Sequence, residues 1–230
     1  MRKITINLAA VAAFCIVVAS PALVSSSCAT PKTEQEDTTI IREDSGITAL
    51  KYSSPEVPAS IEFCGKTIDL SRFDRHERMD RELLAFTYMH STSLQMLKKA
   101  NRYFPIVEPI LKENGIPDDF KYLMVIESNM NPTARSSAGA AGLWQFMQGT
   151  GRDYGLEVNN NVDERYHIEK ATRAACRYLK DAYAKYKDWV AVAASYNAGQ
   201  ARIASQLAKQ DVDDSLDLQL VEETARYVYR

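Results

Sequence analysis

The feature of this chain that most constrains its fold is a change of hydrophobic period near Asp74. Before it, the segment IEFCGKTIDL at positions 61–70 alternates apolar with polar residues on either side of Gly65-Lys66, a pattern typical of a β-hairpin with a tight turn. After it, apolar residues recur at the spacing of amphipathic helices. The sequence therefore predicts an all-α, mainly helical domain with a small N-terminal β-hairpin.

Prolines and glycines suggest where the predicted helices begin and end. A stripe at positions 83, 86, 87, 90, 94 and 97 predicts a long helix that ends or kinks by Pro105, followed by a second helix over about 105–114 that stops at Gly115. Pro117 and Asp118 then open a helix that carries Glu127. Further helices are predicted at about 146–154, 168–187, 188–197, 200–208 and 221–229.

The N-terminus reads as an export signal rather than as part of the fold. A short positive segment, an apolar run and the small residues of PALVSSS predict a secretory signal peptide over 1–27. Cys28 directly after these residues resembles a bacterial lipoprotein processing site, and a cleaved soluble export signal is the alternative. Residues 28–58 are rich in Thr, Glu, Asp, Ser and Pro, which predicts a flexible tether before a folded domain over 59–230.

Composition excludes several classes of partner. The formal net charge is -2 and the pI is about 6.0. The chain therefore lacks the excess of basic residues that is typical of nucleic-acid-binding proteins. The three histidines are scattered and there is no CxxC motif, so a metal site is not expected. Cys64 and Cys176 leave two interpretations open, a disulfide in an oxidising compartment or two buried thiols.

One carboxylate stands at the end of an apolar run, FKYLMVIESNMNP. Glu127 shares a helix face with positions 120, 123 and 124, which are Phe, Leu and Met. Burial on that face would raise the pKa of the carboxyl and make Glu127 a usable general acid near neutral pH. The alternative is a structural acid that caps a neighbouring helix or pairs with an arginine.

Two later blocks combine small, aromatic and amide residues. In SSAGAAGLWQFMQ, a turn at Gly142 would let the Gly142-Leu143 backbone approach a ligand. Trp144 and Phe146 offer ring faces on which sugars could stack. Gln145 offers both a hydrogen-bond donor and an acceptor. The alternative is a tight loop whose aromatics fill the core. In AASYNAGQARI, Tyr196 and Asn197 lie at a helix end, where they are either structural or directed toward a buried acid.

Together, Glu-Ser, Gly-Leu-Trp-Gln and Tyr-Asn-Ala-Gly, in this order, resemble the lysozyme-like lytic transglycosylases of the soluble-lytic-transglycosylase (SLT) type, particularly the membrane-bound D-type members. The resemblance covers roughly residues 60–230 and departs from the common pattern at Ser195 and Val221, where Ala and Pro are usual. It implies a catalytic domain of lysozyme-like fold that acts on peptidoglycan glycan strands. A membrane-anchored monomer in the cell envelope, on the periplasmic side, is expected.

The resemblance also implies a mechanism, which needs neither a metal nor an organic cofactor. Glu127 would protonate the β-1,4 glycosidic oxygen between N-acetylmuramic acid and N-acetylglucosamine and then, as a base, promote closure of a 1,6-anhydro ring. Ser128 would assist near the N-acetyl group or the leaving sugar, and Gln145 and the Gly142-Leu143 backbone would bind sugar substituents. Tyr196 would point at Glu127, with Asn197 supporting the cleft. Glu223 and Tyr227 would line the floor or brace Tyr196, and the alternative for Glu223 is a structural acid. The alternatives are a goose-type lysozyme that uses water and a non-catalytic wall-binding lipoprotein.

Overall fold

The computed structural model describes residues 53–212 and 214–230. The predicted signal peptide, Cys28 and residues 28–52 of the predicted tether lie outside this part of the chain. The elements below all belong to the unit that runs from Val57 to Arg230.

A β-hairpin precedes the helices, as the alternating pattern predicts. Strands β1 (Ser60–Phe63) and β2 (Lys66–Asp69) are antiparallel, and Ile61 lies opposite Ile68. The turn is one residue earlier than Gly65-Lys66, because Cys64 and Gly65 take the positive φ angles of 52° and 78°. The Cys64 amide donates to Asp119 Oδ2 at 2.6 Å, which fastens the hairpin to the helical part of the domain.

The first long helix differs from its prediction. Helix α1 (Phe73–Tyr88) ends before His90, whose φ is 30°, and helix α2 (Ser91–Glu113) passes through both Pro105 and Pro109. A proline inside a helix costs about 3 kcal/mol. Val107, Ile110 and Leu111 beyond Pro105 are buried, and each such side chain returns about 1.5–3 kcal/mol. Two prolines cost about 6 kcal/mol and the three buried side chains return about 4.5–9 kcal/mol, so burial offsets the cost of the prolines.

The predicted stripe along this first helix is correct only for Leu83 and Phe86, which pack against the core, and is wrong farther along. Leu94 is 62% exposed and Leu97 is 40% exposed, whereas Met79 and Met96 are buried. The break at His90 changes the rotation of α2 relative to α1, so that positions which would share a face on one continuous helix do not do so here.

The other helices follow the prediction closely, apart from the segment before Glu127. That segment is a 3-10 helix (Asp118–Tyr122), and only the six residues of α3 (Leu123–Ser128) are α-helical. The remaining α-helices of the described residues are α4 (Gln148–Asp153), α5 (Ile168–Tyr186), α6 (Trp189–Ala198), α7 (Gln200–Gln210) and α8 (Glu222–Tyr227). The predicted mainly helical fold with a small hairpin is confirmed.

Small residues at the centre of the domain explain how its helices approach closely. Helix α5 contacts both α2 and α6. The side chains of Ala171, Ala174 and Ala175 on α5 are fully buried, as are most of those in VAVAAS on α6. Because alanine occupies little space, the helices can pack without a thick layer of side chains between them.

The described residues contain neither a membrane-crossing helix nor a metal centre. None of the helices in residues 53–212 and 214–230 is both long and apolar enough to span a bilayer. No group of three or more His, Cys, Asp or Glu side chains in the same ranges could hold a metal ion. Cys64 and Cys176 are both free thiols, and burial raises the pKa of Cys176 to about 11.

Candidate active site

Glu127 occupies the last turn of α3, and local sequence fixes the end of that helix. Asn129 and Met130 take left-handed φ angles of 50° and 51°, and their amides close back onto the carbonyl oxygens of Val125 and Met124. Asn tolerates this conformation better than most residues. The helix therefore stops just after Glu127.

The predicted shared face of this helix is confirmed. Phe120, Leu123 and Met124 are buried in the core, and Glu127 beside them is half-buried. A carboxyl group in these surroundings loses much of the hydration that stabilises its charge. The Glu127 carboxyl therefore lies at the edge of the apolar core.

Tyr227 on α8 is the direct partner of Glu127. Its hydroxyl donates to Glu127 Oε1 at 2.7 Å, and the ring is buried. Burial raises the pKa of the Glu127 carboxyl, the hydrogen bond from Tyr227 opposes this, and the nearby negative charge of Glu223 raises the pKa further. The surroundings of Glu127 thus favour its protonated form, and the Tyr227 hydroxyl stabilises the carboxylate once the proton has left.

Tyr196 does not make the contact that was expected of it. Its hydroxyl donates to the Trp144 carbonyl oxygen at 2.7 Å rather than to Glu127. Burial and the charge of Glu127 raise the pKa of Tyr196 well above its ordinary value. Tyr196 therefore lies beside the Glu127 carboxyl but fastens α6 to the Gly142–Phe146 loop. The hydrogen bond to Glu127 that was predicted for Tyr196 is made by Tyr227 instead.

The two aromatic residues of that loop fill the core. Trp144 is fully buried, and its indole N–H donates to Thr172 Oγ1 at 2.9 Å. Phe146 is 4% exposed. Neither ring has a face free for a sugar, so the stacking interpretation is wrong and the core-filling alternative is correct.

The polar groups of the loop are largely used within the protein. Gln145 Nε2 donates to the carbonyl oxygens of Gly142 at 2.7 Å and Ala134 at 3.3 Å. The Leu143 carbonyl oxygen lies 3.0 Å from Ser128 Oγ, which is also 2.8 Å from the Met124 carbonyl oxygen. These contacts hold the loop together and tie it to α3. The sequence had predicted that the same groups bind sugar.

Gly142 is required by a close approach to protein rather than to ligand. A Cβ atom at this position would stand 1.9 Å from the Arg165 carbonyl oxygen, and φ is +79°. Arg165 is itself buried, and its Nη1 donates to the Gly139 and Phe146 carbonyl oxygens. Arg165 also pairs with Asp163, two residues before it. Sequence reasoning missed Arg165, because its contacts to the loop of Gly139 and Phe146 leave no local signal.

The remaining predicted residues lie on or beside α8. Asn197 Oδ1 accepts a hydrogen bond from Thr224 Oγ1 at 2.9 Å, so it joins the end of α6 to α8. Thr224 is buried and was not singled out from the sequence. Glu223 is exposed and acts on Glu127 through its charge. The structure thus brings Tyr196, Glu223 and Tyr227 around one carboxyl group, whereas Asn197 joins the two helices that carry these residues.

Chemically, this arrangement supplies one proton donor of raised pKa next to a phenol. A second carboxylate, that of Glu223, is exposed to solvent rather than buried with Glu127. Such a site can deliver a proton to a leaving group and then accept one back.

Comparison with known proteins gives a family match over the part of the chain that contains Glu127, and several similar proteins. The model of the family described as "Transglycosylase SLT domain" matches residues 105–217. Membrane-bound lytic murein transglycosylase D of Escherichia coli is 31% identical over 157 residues, 66% of this chain and 34% of that protein. Peptidoglycan transglycosylase gp16 of Escherichia phage T7 is 33% identical over 95 residues, 40% of this chain and 7% of that protein. The aligned region is therefore about a third of the first relative's length.

Proposed function

This chain belongs to the SLT-domain transglycosylases, and on that premise we propose that it is a peptidoglycan lytic transglycosylase. Its substrate is the β-1,4 bond between N-acetylmuramic acid and N-acetylglucosamine. Support comes from relatives named for action on murein and peptidoglycan. The observation that carries the proposal is the half-buried Glu127, whose pKa is raised and whose only hydrogen-bond donor among the described side chains is Tyr227.

The first step is protonation of the glycosidic oxygen by Glu127. A carboxyl with a raised pKa remains protonated closer to neutral pH, where an ordinary glutamic acid would be ionised. Because Tyr227 donates to Oε1, the proton to be delivered resides on Oε2. As the bond from C1 to the leaving oxygen breaks, positive charge develops at C1 of the muramoyl residue.

In the second step the Glu127 carboxylate acts as the base. It takes the proton from the C6 hydroxyl of the muramoyl residue, and that oxygen bonds to C1 to close the 1,6-anhydro ring. No water is consumed, and Glu127 ends protonated for the next cycle. The Tyr227 hydrogen bond stabilises the carboxylate between the steps, which keeps it from being too strong a base to release its proton again.

A single buried carboxyl is consistent with this reaction. Most glycosidases use two carboxylates, one as acid and one as nucleophile or base. In the proposed reaction the N-acetyl group of the substrate stabilises the positive centre and the C6 hydroxyl replaces the nucleophile. The exposed carboxylate of Glu223 then has an electrostatic role, since its charge raises the pKa of Glu127.

Replacement of the Glu127 carboxyl by an amide tests the proposal. We expect Glu127→Gln to release no muropeptides from purified sacculi while it still binds them in a sedimentation assay, because the amide keeps the shape of the side chain and removes the proton donor. Glu169→Gln, at an exposed acid on α5, is the matched control and should digest sacculi at the wild-type rate. Digestion by Glu127→Gln at that same rate would end the assignment.

We further propose that the protein acts in the cell envelope, anchored through a lipid on Cys28. The export signal in the sequence supports this location, as does the name of the membrane-bound relative. We expect metabolic labelling with a radioactive fatty acid to mark the wild-type chain and not Cys28→Ala. Equal labelling of the two chains, or none of either, would contradict the anchor and would leave the enzymatic proposal unaffected.

A further inference from the structure

The short helix that carries Tyr227 is held in place by a distant acid. Arg226 Nε lies 2.5 Å from Glu82 Oε1, and Arg230 Nε lies 3.5 Å from Glu82 Oε2. Glu82 belongs to α1, 144 residues before Arg226. None of the motifs that point to catalysis includes Glu82, and the family match begins after it, at residue 105.

Helix α8 depends on its neighbours for its position. It has six residues, fewer than an isolated helix needs to be stable in water. Adjacent residues on a helix point about 100° apart. Arg226 can therefore bind Glu82 on α1 while Tyr227, the next residue, donates to Glu127 on α3.

The burial of this ion pair makes it specific for one docking position. The Glu82 side chain is 9% exposed and that of Arg226 is 22% exposed. A buried charge that loses its partner is strongly unfavourable. Sliding or rotating α8 by one residue would separate Arg226 from Glu82, and it would carry the Tyr227 hydroxyl away from Glu127 at the same time.

A second ion pair between the same two helices lacks this burial. Arg81 Nη2 lies 2.6 Å from Glu222 Oε1, with side chains 51% and 63% exposed. Exposed pairs contribute little, because water and salt screen them. Arg81 therefore supplies a control on the same helix, next to Glu82 in sequence.

We propose that Glu82 is a positioning residue, which together with Arg226 and Arg230 holds α8 where Tyr227 donates its hydrogen bond to Glu127. The inference rests on the proposed function, since it assigns to Glu82 an effect on the acid of that reaction. It goes beyond stabilisation of the fold, because it couples an ion pair on α1 to proton transfer at Glu127.

The first test compares Glu82→Gln with Arg81→Gln in digestion of purified, solubilised glycan strands. In Glu82→Gln we expect kcat to fall about tenfold, the effect of weakening one hydrogen bond to a charged group, with KM within about twofold of wild type. Loss of the Tyr227 donor raises the pKa of Glu127, so the alkaline limb of the kcat/KM profile moves to higher pH. Arg81→Gln should retain the wild-type profile.

A double-mutant cycle separates positioning from stability. If Glu82 acts through Tyr227, adding Glu82→Gln to Tyr227→Phe changes kcat by less than about twofold, because coupled effects do not add. An additive loss, or a lowered melting temperature with an unmoved pH profile, would show that Glu82 serves the fold alone and would overturn the proposal.

Two further variants keep the outcome decisive. Arg226→Lys retains a cation opposite Glu82 but lacks the Nε contact, so it should stay folded by circular dichroism and show an intermediate shift of the alkaline limb. Wild-type profiles for both folded Arg226→Lys and folded Glu82→Gln would refute the positioning role. Glu127→Gln is assayed alongside: activity there refutes the proposed function, whereas an inactive Glu127→Gln with a wild-type profile for Glu82→Gln refutes only this inference.

Discussion

Substitution of Gly142 by alanine offers the most direct physical test of how the loop beside Glu127 is built. The added Cβ would lie 1.9 Å from the Arg165 carbonyl oxygen and 2.8 Å from its carbonyl carbon. Both are backbone atoms, so no side-chain rotation can relieve the overlap. The glycine also has a φ of +79°, which alanine adopts only with strain.

The expected cost has two parts. The left-handed backbone costs an alanine about 1–2 kcal/mol. Forcing apart backbone that is already in contact costs about 1–3 kcal/mol, as overpacking does in other cores. Gly142→Ala should therefore lower the free energy of unfolding by roughly 2–5 kcal/mol, which is about 5–15 °C in melting temperature for a domain of this size.

Two other glycines separate these parts in a urea unfolding series followed by circular dichroism. Gly139 has a φ of +91° and open space around its Cβ position, so Gly139→Ala should show the backbone strain alone. Gly149, in α4, has neither a positive φ nor a contact, so Gly149→Ala should stabilise the protein by about 0.4–1 kcal/mol. If Gly142→Ala costs no more than Gly139→Ala, the argument from close approach is wrong.

Two more predictions concern side chains of the site. Glu127→Gln should unfold at a higher temperature than the wild type near neutral pH. The pKa of Glu127 is higher in the folded state than in the unfolded state, so the protonated carboxyl favours folding only at low pH. The wild type therefore loses stability as the pH rises through the folded-state pKa, whereas the amide does not. This advantage should vanish in acid, and melting curves at several pH values with an unchanging difference would contradict it. Trp144→Phe should lower the free energy of unfolding by about 1–3 kcal/mol, because it removes the hydrogen bond to Thr172 and part of the ring volume. Its KM should equal that of the wild type, because the ring is buried. A raised KM at unchanged stability would restore the sugar-stacking role.

Helices whose ends carry local signals could be predicted to within a few residues. Asp188 accepts a hydrogen bond from Val190 N at the start of α6, and Gly199 follows its last residue, as capping chemistry leads one to expect. The end of α1 carries no such signal, since neither glycine nor proline stands at Met89 or His90. Pro105 offered a false one, because burial farther along α2 outweighed its cost.

In the site, too, the features that depend on nearby residues could be predicted and those that depend on distant residues could not. The burial of Glu127 followed from three apolar neighbours on its own face, all within one short segment. The choice between Tyr196 and Tyr227 as its donor did not, since Tyr227 lies 100 residues away and reaches Glu127 only when α8 is docked. Likewise, Trp144 looked available for sugars until the position of Thr172 on α5 was known.

The fate of oxygen during cleavage tests the central claim, that one carboxyl at Glu127 acts first as acid and then as base. Purified sacculi would be digested in heavy-oxygen water and the muropeptides analysed by mass spectrometry. The account predicts muramoyl ends that lack one molecule of water relative to reducing ends and carry no heavy oxygen, because the C6 hydroxyl closes the ring. Reducing muramoyl ends labelled with heavy oxygen would show that water is the nucleophile, as in a goose-type lysozyme, and would contradict the claim.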